Sequence, residues 1–160
     1  MQNKLDSVDL AILEQLQRDS SASVVEIAEA VGLSQSPCWR RIQRLEQEGF
    51  IRERVALLDR EKLGFSLQVF VQVRFGGDGR ATLADFEAAI RAAPEVLECY
   101  MLMGDVDFLL RVVTRDVQSY ERFLRQTLAT IPGVRDISST IALSAVKATT
   151  ALPLEMVQVG

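Results

Sequence analysis

The chain has 160 residues, of which 48% are hydrophobic and 25% charged, a composition ordinary for a globular protein of one domain or two small ones. Its formal net charge of −4 excludes a protein that coats nucleic acid by bulk attraction, so any DNA binding must come from a local patch. The chain has no histidine, and its two cysteines, Cys38 and Cys99, lack metal-ligand spacing, which excludes Ser-His-Asp and Cys-His catalysis and most transition-metal sites.

Further expectations follow from what the sequence lacks. Carboxylates without a histidine, a metal site or a phosphate loop make no recognisable catalytic set, so we expect no enzyme, no metal and no cofactor. No charged-then-apolar signal pattern opens the chain, and no apolar run reaches transmembrane length. We therefore expect a cytoplasmic protein with reduced thiols and no membrane partner.

The first predicted helix begins near residue 6. Asp6 is the expected N-cap, and Leu5 and Leu10 stand at the positions of a hydrophobic staple. Leucines and an isoleucine at helical spacing give a buried stripe, and the polar segment 18–21 ends the helix.

Two more helices follow between residues 23 and 49, separated by a tight turn. Ser23 and Glu26 form a capping box for the first, and Gly32 supplies its left-handed end. Ser34 or Ser36 caps the second helix, whose first turn contains Pro37. Helix, glycine-containing turn and helix are the elements of a DNA-binding helix-turn-helix.

The second of these helices has an apolar and a polar face. Cys38, Ile42 and Leu45 share the inner face at i, i+4 and i+7. The opposite face carries Ser36, Arg40, Gln43, Arg44 and Gln47. Residues 35–54 contain five arginines against three glutamates, a local charge of +2. This pattern favours DNA recognition, although a helical hairpin with a solvated charged face would show it too.

The middle of the chain contains a domain boundary. Residues 52–58 are compatible with a short strand, and the polar, glycine-containing segment 59–65 reads as a linker or connecting turn. The predicted organisation is a helix-turn-helix domain at 1–54, a linker at 55–65, a second domain at 66–148 and a C-terminal tail at 149–160.

The second domain alternates strands and helices. Strands are predicted at 67–75, 96–103, 108–114 and 134 to about 145, helices at 82–93 and 116–130, and a break at 76–79. The order β-α-β-β-α-β is that of the ferredoxin-like fold, in which both helices cover one face of an antiparallel sheet. The other face then needs a cover, most simply a second copy related by a two-fold axis.

Three motifs, in order, give the chain a resemblance to the Lrp/AsnC (feast/famine) regulators. Residues 31–46, VGLSQSPCWRRIQRLE, are similar to the family's VGLSxxPCxxRxxRLE, and residues 104–110, GDVDFLL, match its G-D-x-D-[FY]-L-L hairpin. Residues 146–154, VKATTALPL, are close to the tail of one branch. The tail and the PCW start of the recognition helix resemble a cysteine-responsive branch more than the leucine-responsive one.

This resemblance implies an α+β transcriptional regulator with a winged-type helix-turn-helix domain and a ferredoxin-like sensing domain. It implies a homodimer that assembles into octamers or other dimer multiples, with double-stranded DNA and an amino-acid effector as partners. The alternative function is an amino-acid-binding oligomerisation module that acts through protein partners.

The expected DNA contacts lie in and before the recognition helix. Arg40 and Arg44 would pair with guanine in the major groove, beside Ser36 and Gln43. Arg41 would contact phosphate or pair with a nearby glutamate inside the domain, and Trp39 would pack against a helix or lean on the DNA backbone, packing being favoured. The complete candidate set is Ser34, Gln35, Ser36, Pro37, Trp39, Arg40, Arg41, Gln43 and Arg44.

The expected effector site surrounds the 104–107 hairpin, a Gly-Asp turn that would form without a ligand. Asp105 or Asp107 would receive the α-ammonium group, and backbone N–H groups around Met103 and Gly104 the carboxylate. Hydroxyl side chains would complete the pocket, although threonine also favours strands. The candidate set is Tyr100, Met103, Gly104, Asp105, Asp107, Ser139, Thr140, Thr149 and Thr150. Cysteine, a branched-chain or an aromatic amino acid all remain open as effectors.

Overall fold

The computed structural model describes residues 5–76 and 80–158. It divides the chain into two compact units. One contains the N-terminal segment as far as Leu57 together with the tail from Lys147, and the other comprises Leu58–Val146. The tail beyond Lys147 therefore packs with the N-terminal helices.

The N-terminal unit is built from three helices, α1 (Ser7–Arg18), α2 (Val24–Val31) and α3 (Gln35–Gln47). The Asp6 N-cap is confirmed, and its capping box is completed by Asp9. The Ser23–Glu26 capping box at α2 is confirmed as well. Ser34 occupies the N-cap position of α3 without a side-chain hydrogen bond.

The core of this unit lies where the three helices meet. The predicted inner face of α3 is confirmed, because Cys38, Ile42 and Leu45 are all buried. They pack with residues of the first two helices, namely Ile12, Leu16, Ile27 and Ala28. Burial raises the pKa of the Cys38 thiol, as expected for a cysteine that serves as a small apolar core residue.

The short strand expected at residues 52–58 is wrong for the single chain. The segment pairs with no strand in the described part of the structure, and its apolar side chains Val55, Leu57 and Leu58 are more than half exposed. A strand without a neighbour has no partner for its backbone groups, which explains why the propensity of this segment is not realised here.

The second unit contains a four-stranded sheet of β1 (Leu67–Phe75), β2 (Val96–Met101), β3 (Phe108–Thr114) and β4 (Val134–Ile141). The strand order is β2-β3-β1-β4, and every neighbouring pair is antiparallel. Helix α4 (Arg80–Ala92) links β1 to β2, and α5 (Val117–Gln126) links β3 to β4. This is the predicted ferredoxin-like arrangement.

Element ends differ from the predicted ones for identifiable reasons. β4 stops at Ile141 rather than near 145, because its neighbour β1 begins at Leu67 and only the Ala142 N–H still finds a partner there. The predicted helix 116–130 ends at Gln126 and continues as a single 3₁₀ turn at Leu128–Thr130. Most of the predicted break at 76–79 lies outside the described residues.

The two faces of the sheet differ in chemistry. Alternate residues of β1, among them Val69, Val71 and Val73, are fully buried in a core shared with Phe86 and Phe123. The opposite face, here called the open face, presents polar and a few apolar side chains. It carries Gln68, Phe70, Gln72 and Arg74 of β1, Leu109 and Arg111 of β3, and Thr140 of β4.

Candidate DNA-binding surface and effector pocket

The N-terminal half of α3 forms an exposed polar surface. Gly32 lies in the left-handed region (φ +71°), which reverses the chain after α2, and the Leu33 N–H closes the turn on the Ala28 carbonyl. The side chains exposed at the start of α3 are Ser34, Gln35, Ser36, Trp39 and Arg40, while Pro37 is half-buried. We call these five exposed residues the α3 tip.

Trp39 departs from its favoured role as a packing residue. Its side chain is 53% exposed, because the inner face of α3 is already filled by Cys38 and Ile42. An indole on the surface beside Arg40 is available for contact with a partner molecule.

Arg41 is held inside the domain, which was one of its two predicted roles. Its partners are aspartates rather than the expected glutamate. Nη1 donates to Asp6 Oδ2 (2.6 Å) and to Asp9 Oδ1 (2.7 Å). The Asp9 backbone N–H and the Arg41 guanidinium lower the pKa of Asp6, and the two carboxylates raise the pKa of Arg41.

Arg44 and Gln43, both predicted to enter the major groove, also have partners within the domain. Arg44 Nη2 lies 2.5 Å from Asp9 Oδ2, and its Nε lies 3.9 Å from Glu48 Oε2. Gln43 Nε2 donates to Glu46 Oε2 (3.0 Å). Their roles toward DNA stay predictions.

In the helical unit, Asp9 is the residue that sequence reasoning missed. Its side chain is 1% exposed, and it contacts two arginines of α3 from its position on α1. Its spacing of three from Asp6 signals a capping box. The arginines that share its carboxylate are 32 and 35 residues away, and no short-range pattern indicates them.

The 104–107 hairpin is anchored to the end of β1 through Asp107. The Phe75 N–H donates to Asp107 Oδ2 (2.7 Å), and the Asp107 N–H donates to the Val73 carbonyl (3.1 Å). The Leu102 N–H closes the hairpin on the Asp107 carbonyl (2.8 Å). The Asp107 carboxylate thus holds the hairpin against the sheet, whereas Asp105 is exposed.

A pocket of about 510 Å³ lies beside this hairpin. Its lining comprises Asp105 and Asp107 of the predicted site together with Arg74, Phe75, Arg135 and Asp136. Three carboxylates and two guanidinium groups therefore border one cavity. Such a border suits a ligand that carries both a positive and a negative charge.

Sequence reasoning missed Arg74, Arg135 and Asp136. Arg74 and Asp136 are register partners on β1 and β4. The sequence pattern that could have indicated Arg74 is the alternation along β1, which places this residue on the face opposite Val73. The pairing of β1 with β4, which joins Arg74 to Asp136 across 62 residues of sequence, is what brings them to the hairpin.

The other predicted ligand residues do not line this pocket. Tyr100 and Met103 are exposed, Gly104 lies within the hairpin, and the Tyr100 hydroxyl donates to Glu98 (3.3 Å). Ser139 and Thr140 are successive residues of a strand and point to opposite faces, and the Ser139 hydroxyl is hydrogen-bonded to that of Tyr120 (2.5 Å).

Thr149 and Thr150 belong to the tail, which is part of the N-terminal unit. The Thr149 hydroxyl accepts the Ala151 N–H (3.1 Å), a local turn contact. Their predicted place in an effector pocket stays a prediction.

The described residues contain neither a metal-binding cluster nor a membrane-spanning helix. No group of three or more Cys, Asp or Glu side chains among them is arranged to hold a metal ion. None of the helices described has both the length and the apolar character needed to cross a bilayer.

The two regions match two domain families. Residues 5–52 match a winged helix-turn-helix DNA-binding family, and residues 68–152 match the Lrp/AsnC ligand binding domain. Related proteins include the DNA-binding transcriptional activator DecR of Escherichia coli (37% identity, 94% of this chain and 99% of the relative). The Bkd operon transcriptional regulator of Pseudomonas aeruginosa is 43% identical with the same coverage.

Solved structures agree with this assignment. A transcriptional regulator of Neisseria meningitidis in complex with L-methionine is similar with a TM-score of 0.91 and 39% identity, over 94% of this chain and 97% of that one. An AsnC family regulator of Agrobacterium tumefaciens gives 0.89 and 45%, over 94% and 98%. These relatives are transcriptional regulators rather than enzymes, and the chain described here belongs to the Lrp/AsnC family of DNA-binding transcriptional regulators.

Proposed function

We propose that this DNA-binding transcriptional regulator reads DNA with the α3 tip and binds an amino-acid effector in the pocket beside the 104–107 hairpin. The observation that carries the proposal is the mixed-charge border of that pocket, in a domain of the Lrp/AsnC ligand-binding family. Family membership favours this function over an oligomerisation module that acts only through protein partners.

The α3 tip suits the major groove because it combines a helix N-terminus with exposed donors. The first turn of a helix carries free N–H groups and a partial positive charge, which attract phosphate. Arg40 follows one turn later, is exposed and can donate two parallel hydrogen bonds to guanine. Trp39 would contribute contact with the sugar-phosphate backbone.

The hairpin pocket suits the two charged groups that every free amino acid carries. The exposed Asp105 carboxylate would receive the α-ammonium group, and Arg74 or Arg135 the α-carboxylate. Asp107 would act chiefly through the shape of the hairpin, because its carboxylate already accepts the Phe75 N–H.

The effector class is an amino acid with an apolar or sulfur-containing side chain. Phe75 supplies the apolar side chain in the lining of the pocket. Tyr100, Met101 and Met103 do not line it, but they are exposed near the hairpin and add apolar surface there. The Neisseria regulator named above is described in complex with L-methionine, which has such a side chain. Cysteine and the branched-chain and aromatic amino acids belong to the same class.

We also propose a homodimer formed through the open face, assembling further into octamers or other dimer multiples. An open face with Phe70 and Leu109 at its centre favours a second layer. The protein would be cytoplasmic and DNA-associated, and its dimer would present two α3 tips to successive turns of an operator of approximate two-fold symmetry.

The test is a thermal-shift screen of the purified protein against the twenty amino acids at fixed protein concentration. A ligand that binds only the folded state raises the melting temperature by mass action. We expect one or a few apolar or sulfur-containing amino acids to do so, and the Asp105→Asn variant to lose the shift. The matched control is Asp85→Asn on α4, outside the pocket. An unchanged shift in Asp105→Asn would contradict the proposed site.

A further inference from the structure

Asp9 is the only charged side chain of the described residues that is fully buried. Removing an ionised carboxylate from water is costly unless opposite charges and hydrogen bonds compensate it. Asp9 meets this requirement with Arg41 and Arg44, both from α3, while its second oxygen also accepts the Asp6 N–H (3.1 Å). The charge of Asp9 is therefore compensated by α3, the helix proposed above to face DNA.

Arg44 lies on the same side of α3 as Arg40. Residues four apart are neighbours on a helix surface, so a free Arg44 would stand one turn behind Arg40 along the same stripe. Its guanidinium instead contacts Asp9 at 2.5 Å, with Glu48 as its second, more distant carboxylate. The Arg44 side chain is 42% exposed, but its Nε and Nη2 atoms are buried and form no hydrogen bond, so the contact with Asp9 is an ion pair that keeps these two atoms away from solvent.

The remaining arginines of this region separate into two groups. Arg41 is shared by Asp6 and Asp9, and Arg54 is paired with Glu46 (2.7 Å). Arg40 and the exposed Arg52, by contrast, have no ion pair within the described part of the chain. The arginines that give this region its local charge of +2 are therefore not equally available to DNA. Among the arginines of α3, Arg40 is the one whose charge is not paired within the domain.

We propose that Asp9 is a positioning residue for DNA recognition, which withholds Arg44 from DNA phosphate and leaves Arg40 as the arginine of α3 that contacts DNA. The proposal rests on the function proposed above, in which α3 faces DNA. The consequence is better discrimination between the target sequence and other DNA. A cation that is neutralised within the domain adds nothing to sequence-independent phosphate binding, so the affinity for non-specific DNA is lower. Contacts with the bases then account for more of the difference in affinity between sequences.

The experiment measures binding of the full-length protein to a random-sequence 30-base-pair duplex by fluorescence anisotropy over a series of salt concentrations. Each phosphate contact contributes about 0.9 to the slope of log K against log salt. In Asp9→Asn, we expect the released Arg44 to steepen the slope by about 0.9 and to tighten non-specific binding at low salt. The double variant Asp9→Asn/Arg44→Gln should return to the wild-type slope, a reversal that a merely structural role of Asp9 would not produce.

Single arginine variants keep the proposal testable if Asp9→Asn fails to fold. Arg44→Gln in the otherwise native protein should lower the melting temperature and leave the salt slope unchanged. A slope that becomes shallower by about 0.9 in Arg44→Gln would overturn the proposal, as would an unchanged slope in a folded Asp9→Asn.

Arg40→Gln separates this proposal from the function on which it rests. On random-sequence DNA, where Arg40 meets phosphate rather than a matching guanine, the slope of this variant should become shallower by about 0.9 because one phosphate contact is lost. If Arg40→Gln leaves the slope unchanged while Arg44→Gln reduces it, Asp9 does not withhold Arg44. If neither variant changes the slope, the α3 tip is not the DNA-binding surface, and both proposals fail.

Discussion

At the residue scale, the helix-turn-helix depends on a few positions whose roles are local. Capping residues, the left-handed glycine and the apolar stripe of α3 could all be predicted, because their signals lie within a few residues of one another. Asp9 shows what could not be predicted. Its pairing with α3 exists only after three helices have packed, so its partners cannot be identified from the sequence around it.

The turn between α2 and α3 allows a direct test of Gly32. Its φ of +71° is open to glycine and strained for other residues, although a Cβ at this position would meet no other atom within 4 Å. Gly32→Ala should therefore destabilise the protein by about 1–2 kcal/mol through backbone strain alone. Urea unfolding measures this, with Glu29→Ala on the exposed side of α2 as control. Equal stability of the two variants would show that the strain is absent.

Asp6 gives the N-terminal unit a pH-dependent contribution. Its folded-state pKa is lowered, first by the Asp9 N–H and then by Arg41, so the ionised carboxylate stabilises the fold above the unfolded pKa of about 3.9. That contribution is lost as the pH falls through the folded-state pKa. Asp6→Asn keeps a capping oxygen and loses the charge, so the wild type should be more stable at pH 7 by at most about 1 kcal/mol.

The measurement is urea unfolding of both proteins at pH 7, 5 and 3, and lower if they remain folded. The difference in unfolding free energy between them should be the same at pH 7 and 5 and shrink below about pH 4. A difference that does not change with pH would mean that the Asp6 charge contributes nothing.

At the scale of elements, the order of helices and strands was predictable while several ends were not. Alternation in β1 and helical spacing in α5 are properties of each segment alone. The end of β4 is set instead by where β1 begins, and the segment 52–58 has strand propensity without a neighbour to pair with. The end of a strand, and whether a segment forms a strand at all, thus depend on neighbouring strands that sequence patterns do not identify.

The tail illustrates the same point through Gln17 of α1. Its amide donates to the Leu152 carbonyl and accepts the Leu152 N–H, both at 3.0 Å, which holds one tail residue from two sides. Two hydrogen bonds of about 1 kcal/mol each hold this residue, so Gln17→Ala should speed exchange of the Leu152 amide by roughly tenfold or more. Hydrogen–deuterium exchange detected by mass spectrometry measures this, with Gln15→Ala as control. Equal protection in both variants would mean that Gln17 does not fix the tail.

At the scale of the whole molecule, the candidate sites were predicted in part. The hairpin beside the candidate pocket is predicted from its own residues, whereas Arg74, Arg135 and Asp136 reach the pocket only through the pairing of β1 with β4. For α3, the exposed tip agrees with the predicted polar face, but internal ion pairs occupy Arg41 and Arg44. Sequence patterns indicate where each candidate site lies, and only the structure shows which of the charged side chains there are paired within the domain.

The proposed dimer is a prediction at this scale. Phe70 lies at the centre of the open face and is 37% exposed, between Arg111 and Thr140 on the neighbouring strands. Phe70→Asp would replace the apolar side chain at the centre of the proposed interface with a charge that loses its water when the two faces meet, and should shift the protein toward monomer in sedimentation velocity experiments. Arg122→Asp on the exposed side of α5 serves as control. A dimer retained in Phe70→Asp would exclude the open face as the interface.

Effector control of DNA binding is tested most directly by measuring DNA affinity with and without the amino acid identified in the thermal-shift screen. A duplex selected from a random library is titrated with wild-type protein and with Asp105→Asn. We expect the effector to change the affinity of the wild type by about 5-fold or more, the range of ordinary allosteric coupling. Asp105→Asn should bind the duplex as tightly as the wild type without effector and should not respond to it. An effector that binds and leaves DNA affinity unchanged, or an Asp105→Asn protein that still responds, would contradict effector control through this pocket.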